Sequence, residues 1–293
     1  MRFLALLVLA GALHGAGTGA PFRMLQLNLC NSGHAGVACY RDGWALAAAV
    51  QLIETVRPDV VTVNEVCDSD VAPLRQALGN TGGGVFQAVW DRAAADWMRC
   101  SGDRGRYGVA VVARERLRAG GRGGLFPPLL QAHAANELRA WVCGAFVSFV
   151  ACTAHPQSPR SGTGRADAAV ALAQCRYVAG GILPGYPGPA VFGADLNLVW
   201  NGRAGAQRCV PAGWHRKGDG AFQHVLYSPA FEHAGTVTYP VRGTDHDALL
   251  VHAVRVAAAR STAARRRTRG PLSGRSRPSR RRSAGAAARC PSG

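Results

Sequence analysis

Lysine is almost missing from this chain: a single one, Lys217, stands among 34 basic side chains. A GC-rich genome produces such a skew by itself, so arginine content alone is no evidence of phosphate binding. Acidic residues are missing from the C-terminal part, where Arg255 to Gly293 holds 12 arginines and neither Asp nor Glu. That leaves 22 basic against 17 acidic side chains before it, a balance of +5 rather than the +17 of the whole chain. The high basicity therefore belongs to the tail and says little about the surface of a folded domain. No C-x-x-C occurs among the nine cysteines, which argues against the usual structural zinc frameworks. No internal repeat is found, which excludes a solenoid. Beyond the first 20 residues no run approaches the roughly 18 apolar residues of a membrane-spanning helix.

What is present is enough for one sizeable core in 293 residues. Residues 1–20 read as a secretory leader: Arg2, an apolar Phe3 to Leu13 interrupted only by Gly11, then Thr18-Gly19-Ala20 as a cleavage site. Residues 21–256 read as the folded domain. Residues 257–293 collapse to Arg, Ser, Ala, Gly and Pro, too little apolar surface to offset chain entropy, so a disordered tail is expected. Eight cysteines precede the tail, an even number that suits disulfides in an oxidising compartment. At least three bridges are expected. Cys30 with Cys39 and Cys143 with Cys152 are candidate pairs, the rest stay open, and Cys290 is left over.

Alternation predicts a strand at Phe22 to Leu29, β-branched apolar runs predict strands at Val60 to Val66 and Tyr107 to Ala113, and further strands are read at Ala190 to Leu196, Ala221 to Tyr227 and Asp247 to Val256. Leu138 to Thr153 holds two more, read as a hairpin. Helices are predicted over Trp44 to Val56 and Asp167 to Gly180. Arg57-Pro58 ends the first, because a residue before proline avoids the helical region. Gly82 to Gly84 and Gly120 to Gly124 read as loops. Short β-branched strands alternating with a few helices predict an α/β (α+β) four-layer sandwich, two mixed β-sheets packed face to face with flanking helices.

The chemistry-bearing pattern is polar residues closing apolar strands: Asn28, Glu65, His155, Asp195 with Asn197, and Asp245 with His246. A carboxylate at the end of a buried strand is costly unless something pairs with it. Strand ends in a sheet sandwich share a rim, so these groups are expected to meet there, on a metal and a phosphate.

Five of these segments, in order, resemble the motifs of the endonuclease/exonuclease/phosphatase family. They are Met24-Leu-Gln-Leu-Asn28, Pro58-Asp-Val-Val-Thr-Val-Asn-Glu65-Val, Thr153-Ala-His155, Phe192-Gly-Ala-Asp195-Leu-Asn197 and Thr244-Asp245-His246. The resemblance implies a secreted bacterial hydrolase of phosphodiesters that depends on a divalent metal. Glu65 would be the main ligand of Mg²⁺, with Mn²⁺ and Ca²⁺ as alternatives, and Asn28 and Asp245 would complete the shell or hold its waters. Asp195 would activate the attacking water, and Asn197 would hold that water or a phosphate oxygen. His155 and His246 would bind phosphate, one of them as general acid, and Tyr107 matches a phosphate-contacting tyrosine. Asn64 stands where the family has Gln, and Ala194 intervenes between Gly193 and Asp195. Gln223 occupies a position that is usually acidic and that orients the last histidine; Asp219 and His224 are candidate substitutes.

The expected substrate is nucleic acid, with the Arg-rich tail adding affinity for polyanions and the chain acting as a monomer. A sphingomyelinase-like phospholipase or small-molecule phosphatase is the alternative. Exposed aromatic residues would favour the lipid reading, with Trp90, Trp97, Phe126 and Trp200 as candidates. A catalytically inactive basic binding protein is the third reading.

Overall fold

The computed structural model describes residues 19–34, 39–79, 81–133, 135–159 and 165–256. The candidate leader, apart from its last two residues, and the Arg-rich tail lie outside them. The strands in chain order are β1 Pro21–Asn28, β2 Val60–Cys67, β3 Gly83–Ala88, β4 Trp90–Asp91, β5 Asp96–Trp97, β6 Tyr107–Ala113 and β7 Arg122–Leu125. They continue with β8 Glu137–Leu138, β9 Ala140–Ala145, β10 Val150–Ala154, β11 Ala190–Asp195, β12 His215–Gly218, β13 Gln223–Tyr227, β14 Phe231–Tyr239 and β15 Ala248–Arg255. The helices are α1 Trp44–Val56, α2 Val71–Ala77 and α3 Arg165–Arg176, the last continuing as a wider π turn over Tyr177–Ile182.

Two six-stranded sheets result, ordered β14-β15-β1-β2-β6-β3 and β12-β13-β11-β10-β9-β7, with a small β5-β4-β8 sheet beside them. Both are mixed: β1 runs parallel to β2 but antiparallel to β15, and β10 runs parallel to β11 but antiparallel to β9. Strand alternation sorts the side chains into layers. Met24, Val60, Val111, Val142, Val191 and Val225 pack between the sheets. Leu25, Leu27, Val61 and Val63 face α1, which buries Ala45, Ala49 and Ile53. Phe192, Leu226, Cys143 and Cys152 face α3 through Ala171, Leu172 and Cys175. The order is helices, sheet, sheet, helix: the four-layer sandwich read from the sequence.

Both glycine-rich segments expected as loops enter strands instead. A Cβ on Gly83 would lie 2.7 Å from the Leu117 nitrogen, and one on Gly123 would lie 2.8 Å from the Trp141 carbonyl. Glycine there marks a close backbone approach at a sheet edge, not a turn. The predicted second helix also extends earlier, to Arg165, and changes to the π turn after Arg176.

Four disulfides staple the domain: Cys30–Cys39, Cys67–Cys100, Cys143–Cys152 and Cys175–Cys209. Cys143 and Cys152 lie directly opposite each other across β9 and β10.

Candidate functional site

The inter-sheet layer changes character along its length. On β1 the inward positions run Phe22, Met24, Gln26, Asn28; on β2 they run Val60, Thr62, Asn64; on β11, Val191, Gly193, Asp195. One end is therefore apolar and the other polar, although all of it is buried. Burial of these polar groups is tolerable because they bond to one another. Asn64, fully buried, makes all four bonds its amide allows. Its oxygen accepts from the Asp195 backbone N–H at 2.6 Å and from Gln26 Nε2 at 2.7 Å. Its Nδ2 donates to Thr153 Oγ1 at 3.1 Å and to the Ala154 carbonyl at 2.9 Å. Gly193 is required by the same closeness, since a Cβ there would lie 2.0 Å from Thr62 Oγ1.

Glu65 reaches this end through a break in strand geometry. Strict alternation after Val61 and Val63 would turn it outward toward α1. The register of β2 on β6 shifts between Val63 and Val66, and Glu65 adopts a left-handed backbone, φ 53°. Val66 then takes the outward place beside Val61 and Val63, and Glu65 is freed to enter the site. A bulge of this kind re-aims one side chain without unpicking the strand.

The polar strand ends meet. Asn28 Nδ2 donates to Glu65 Oε1 at 2.9 Å and to Asp195 Oδ2 at 3.0 Å, bridging two carboxylates on opposite sheets. His155 Nε2 lies 3.7 Å from Glu65 Oε1. His246 sits between acids, Nδ1 3.6 Å from Asp195 Oδ2 and Nε2 3.4 Å from Asp245 Oδ1. Asp195 Oδ1 accepts the Asn197 backbone N–H at 2.9 Å, and Asn197 Nδ2 donates to the Pro156 carbonyl at 3.0 Å. Thr244 Oγ1 donates to the Asn28 carbonyl at 2.9 Å, tying the Asp245-His246 turn to β1. Tyr107 is buried, close enough to Glu65 for that carboxylate's charge to raise its pKa. Eight predicted site residues thus form one connected cluster.

Two members escaped the sequence reading. Arg139 is buried, donating from Nη1 to His155 Nδ1 at 2.9 Å and pairing with Glu137 Oε1 at 3.0 Å. The available signal was Glu137-Leu138-Arg139, an acid and a base two apart, on one side of a strand, just before an apolar one.

The electrostatics follow from burial. Burial raises the Glu65 pKa, the charges of Glu137 and Asp195 add to that, and the Asn28 hydrogen bond opposes it. Burial, then the charge of Glu65, raises Tyr107 well above its usual value. Burial opposes the Arg139 charge, but Glu137, Tyr107, Glu65 and Asp195 outweigh it and raise its pKa. Burial foremost, then Arg139 and His246, push His155 well below its usual value. His155 is therefore neutral, accepts at Nδ1 from Arg139, and carries its proton on Nε2, facing Glu65.

Gln223 does not take the part of the missing acid. It donates to the Asp247 carbonyl and meets Gln26, so it braces backbone rather than His246. The candidate substitutes are engaged elsewhere: Asp219 accepts the Ala221 and Gln223 backbone N–H groups, and His224 bonds Arg216 and the Leu198 carbonyl. The carboxylates facing His246 are Asp195 and Asp245.

A hard divalent cation fits this donor set. Glu65 is a partly buried carboxylate flanked by the charges of Glu137 and Asp195, and Asn28 turns its amide nitrogen, a donor, toward Glu65 and Asp195. That orientation suits holding the acids or metal-bound water, not direct ligation. Among the described residues, one group of three Cys, His, Asp or Glu donors comes together closely, Cys30, Cys39 and Asp245. Its two sulfurs form a disulfide and offer no thiolate.

A family model described as the Endonuclease/Exonuclease/phosphatase family matches residues 25–246. The chain belongs to that family. Members of the endonuclease/exonuclease/phosphatase family are phosphoester hydrolases, typically dependent on a divalent metal, and by family this chain is a phosphoesterase. No curated protein matches it in sequence. Solved structures share the fold. The endonuclease/exonuclease/phosphatase from Beutenbergia cavernae superposes with a TM-score of 0.59 at 16% identity, over 81% of this chain and 72% of that one. The human Nocturnin catalytic domain with bound sulfate gives 0.60 at 14% identity, over 80% and 94%. A Bacteroides thetaiotaomicron mannosyl-6-phosphatase gives 0.55 at 15% identity, over 80% and 99%.

Proposed function

We propose that this protein is a secreted phosphodiesterase, dependent on a divalent metal, whose substrate is nucleic acid. The observation that carries the reading is the Asn28 bridge, which holds the partly buried Glu65 and the buried Asp195, carboxylates from different sheets, at one place. Bound Mg²⁺ would supply charge neutralisation on the phosphate and on the leaving oxygen. Glu65 would be its ligand, Asp245 would add a second carboxylate at the exposed edge, and Asn28 would hold the shell. Asp195 takes the proton of the attacking water at its carboxylate. Asn197, with its carboxamide oxygen free of the Pro156 bond, positions that water or a phosphate oxygen.

The two histidines divide the work. His155, neutral, donates a hydrogen bond from Nε2 to a phosphate oxygen. Arg139, behind it, supplies fixed positive charge. His246, partly exposed and flanked by two acids, carries the proton to the leaving group. Tyr107 donates from its hydroxyl and stays protonated at physiological pH.

Export is supported by four disulfides and by the leader-like residues 1–20, and among the described residues no helix is long and apolar enough to cross a membrane. The arginine tail would add salt-sensitive affinity for polyanions. Of the aromatic residues that would favour a lipid substrate, Phe126 is buried, Trp200 lies under Arg216, and Trp90 and Trp97 pack edge to face. The test is a panel of DNA, RNA, sphingomyelin and inositol phosphates with Mg²⁺, Mn²⁺, Ca²⁺ or chelator. Metal-dependent cleavage of DNA or RNA is expected. Cleavage of sphingomyelin alone would refute the substrate assignment.

A further inference from the structure

Beside the carboxylate cluster lies a cleft of about 820 Å³, walled on one side by α3 and on the other by the loop that follows Asn197. Asn197 itself lines it, so the cleft opens from the proposed reaction centre. Its volume falls within the usual range for small-molecule sites.

The lining has two chemistries. Among the described residues, Arg176, Arg203 and Arg208 contribute to the walls and no carboxylate does. Leu172, Leu198 and Phe222 give an apolar floor. Val199, also in the lining, is one of the few large hydrophobic side chains left substantially exposed, at 51%.

The walls are also joined. Cys175, next to Arg176 on α3, is disulfide-bonded to Cys209, next to Arg208 on the loop. Arg176 Nε donates to the Arg208 carbonyl at 3.0 Å, and Arg208 Nη1 to the Arg203 carbonyl at 2.7 Å. The loop is anchored from below as well, by His224 Nε2 donating to the Leu198 carbonyl at 2.7 Å. A cleft held open by a covalent bond and three backbone-directed hydrogen bonds loses little entropy when a ligand enters.

We propose that this cleft is a nucleotide subsite: it takes the nucleoside attached to the scissile phosphate, with the base on the apolar floor and the arginines on the neighbouring phosphate. The inference rests on the phosphodiesterase reading and specifies its substrate. Charge complementarity selects an anion, and the apolar floor selects one that carries a flat ring rather than bare phosphate.

Two substrates with the same leaving group test it: thymidine 3′-phosphate 5′-(p-nitrophenyl phosphate), which carries both the nucleoside and a neighbouring phosphate, and methyl p-nitrophenyl phosphate, which carries neither. The readout is the ratio of their kcat/KM values in wild type, in Arg203→Ser with Arg208→Ser, and in Ala169→Trp, which fills the cleft from the exposed face of α3. Both variants should lower the ratio by about tenfold or more. An unchanged ratio, whether activity falls on both substrates or on neither, overturns the proposal. Calorimetric binding of AMP, inorganic phosphate and inositol trisphosphate provides a second arm that needs no turnover. AMP should bind wild type and weaken about tenfold in both variants. Phosphate or inositol trisphosphate binding as tightly as AMP overturns it. If neither diester is hydrolysed, the phosphodiesterase reading fails, while the AMP arm still decides the cleft.

Discussion

Asn64 on one sheet accepts the backbone N–H of Asp195 on the other at 2.6 Å, and so fixes where the second carboxylate of the site stands relative to the first. Glu65 is the next residue along the chain. A single amide thus sets the register between the bulge that aims Glu65 and the strand that ends in Asp195. The substitution Asn64→Leu takes a partner each from Gln26, Thr153 and two backbone groups in a dry interface, and of these Gln26 keeps Leu27 and Gln223. It should cost about 2–4 kcal/mol, since each buried unpaired group costs roughly 1–3 kcal/mol and relaxation recovers part. Urea unfolding measures this; a change under about 0.5 kcal/mol would show that the network is not holding the sheets.

Arg139 is the fixed positive charge in a cluster of acids. Arg139→Met leaves the partly buried Glu137 unpaired beside Glu65, and should destabilise by about 2–4 kcal/mol. Arg139→Met combined with Glu137→Leu should recover much of that loss. Thermal melts of the three proteins decide it; a double variant as unstable as the single one contradicts the pairing.

Stability should fall on mild acidification because of buried neutral histidines. Burial, then Arg216, lower the His224 pKa from 6.5 to about 3. Below pH 6.5 the unfolded chain binds a proton at this position and the folded chain does not, until about pH 3. The contribution is full above 6.5 and is lost as pH falls through that window. His155, also lowered, acts in the same sense. The buried carboxyls with raised pKa act oppositely, stabilising at low pH and losing that contribution as pH rises. Comparing wild type with His224→Gln at pH 7 and pH 5 isolates one histidine. Wild type should lose on the order of 2 kcal/mol more than the variant over that interval. Equal losses would mean that His224 is protonated in the folded state.

The Cys175–Cys209 bridge closes a 34-residue separation between α3 and the loop after Asn197. Replacing both cysteines by serine should cost about 2–4 kcal/mol of stability. It should also raise KM for a nucleotide substrate more than it lowers kcat, because it loosens the cleft wall. A loss confined to kcat would place the bridge in the service of the reaction centre instead.

Much of this was legible in the sequence because the relevant signals are local. Alternation marked β1, and β-branched or apolar runs marked β2, β6 and β11, to within a residue or two, and Arg57-Pro58 marked the end of α1. The polar strand ends were visible as exceptions to an apolar pattern. What stayed hidden depends on partners far along the chain. The edge strands β3, β7 and β14 contain glycines or lack clean alternation, and pairing with β6, β9 and β15 defines them. The Glu65 bulge is hidden because a strand does not announce where its partner slips. Arg139 reads as one more arginine in an arginine-rich chain until its neighbours are placed. Gln223 stood out as a departure at the position that usually orients the last histidine, and where its side chain turns, to the Asp247 carbonyl, no motif could show.

The most direct test of the account is hydrolysis of bis-p-nitrophenyl phosphate by purified protein after chelation and again after Mg²⁺ is restored, with Glu65→Gln and Asp195→Asn alongside. Wild type should lose activity with chelator and regain it with metal. Mg²⁺ should raise the melting temperature of wild type and of Asp195→Asn but not of Glu65→Gln. Both variants should lose about two orders of magnitude or more in turnover, with excess metal recovering part of it for Glu65→Gln alone. Hydrolysis that survives chelation, or a Glu65→Gln protein that binds metal and turns over like wild type, would contradict the metal site at the centre of this reading.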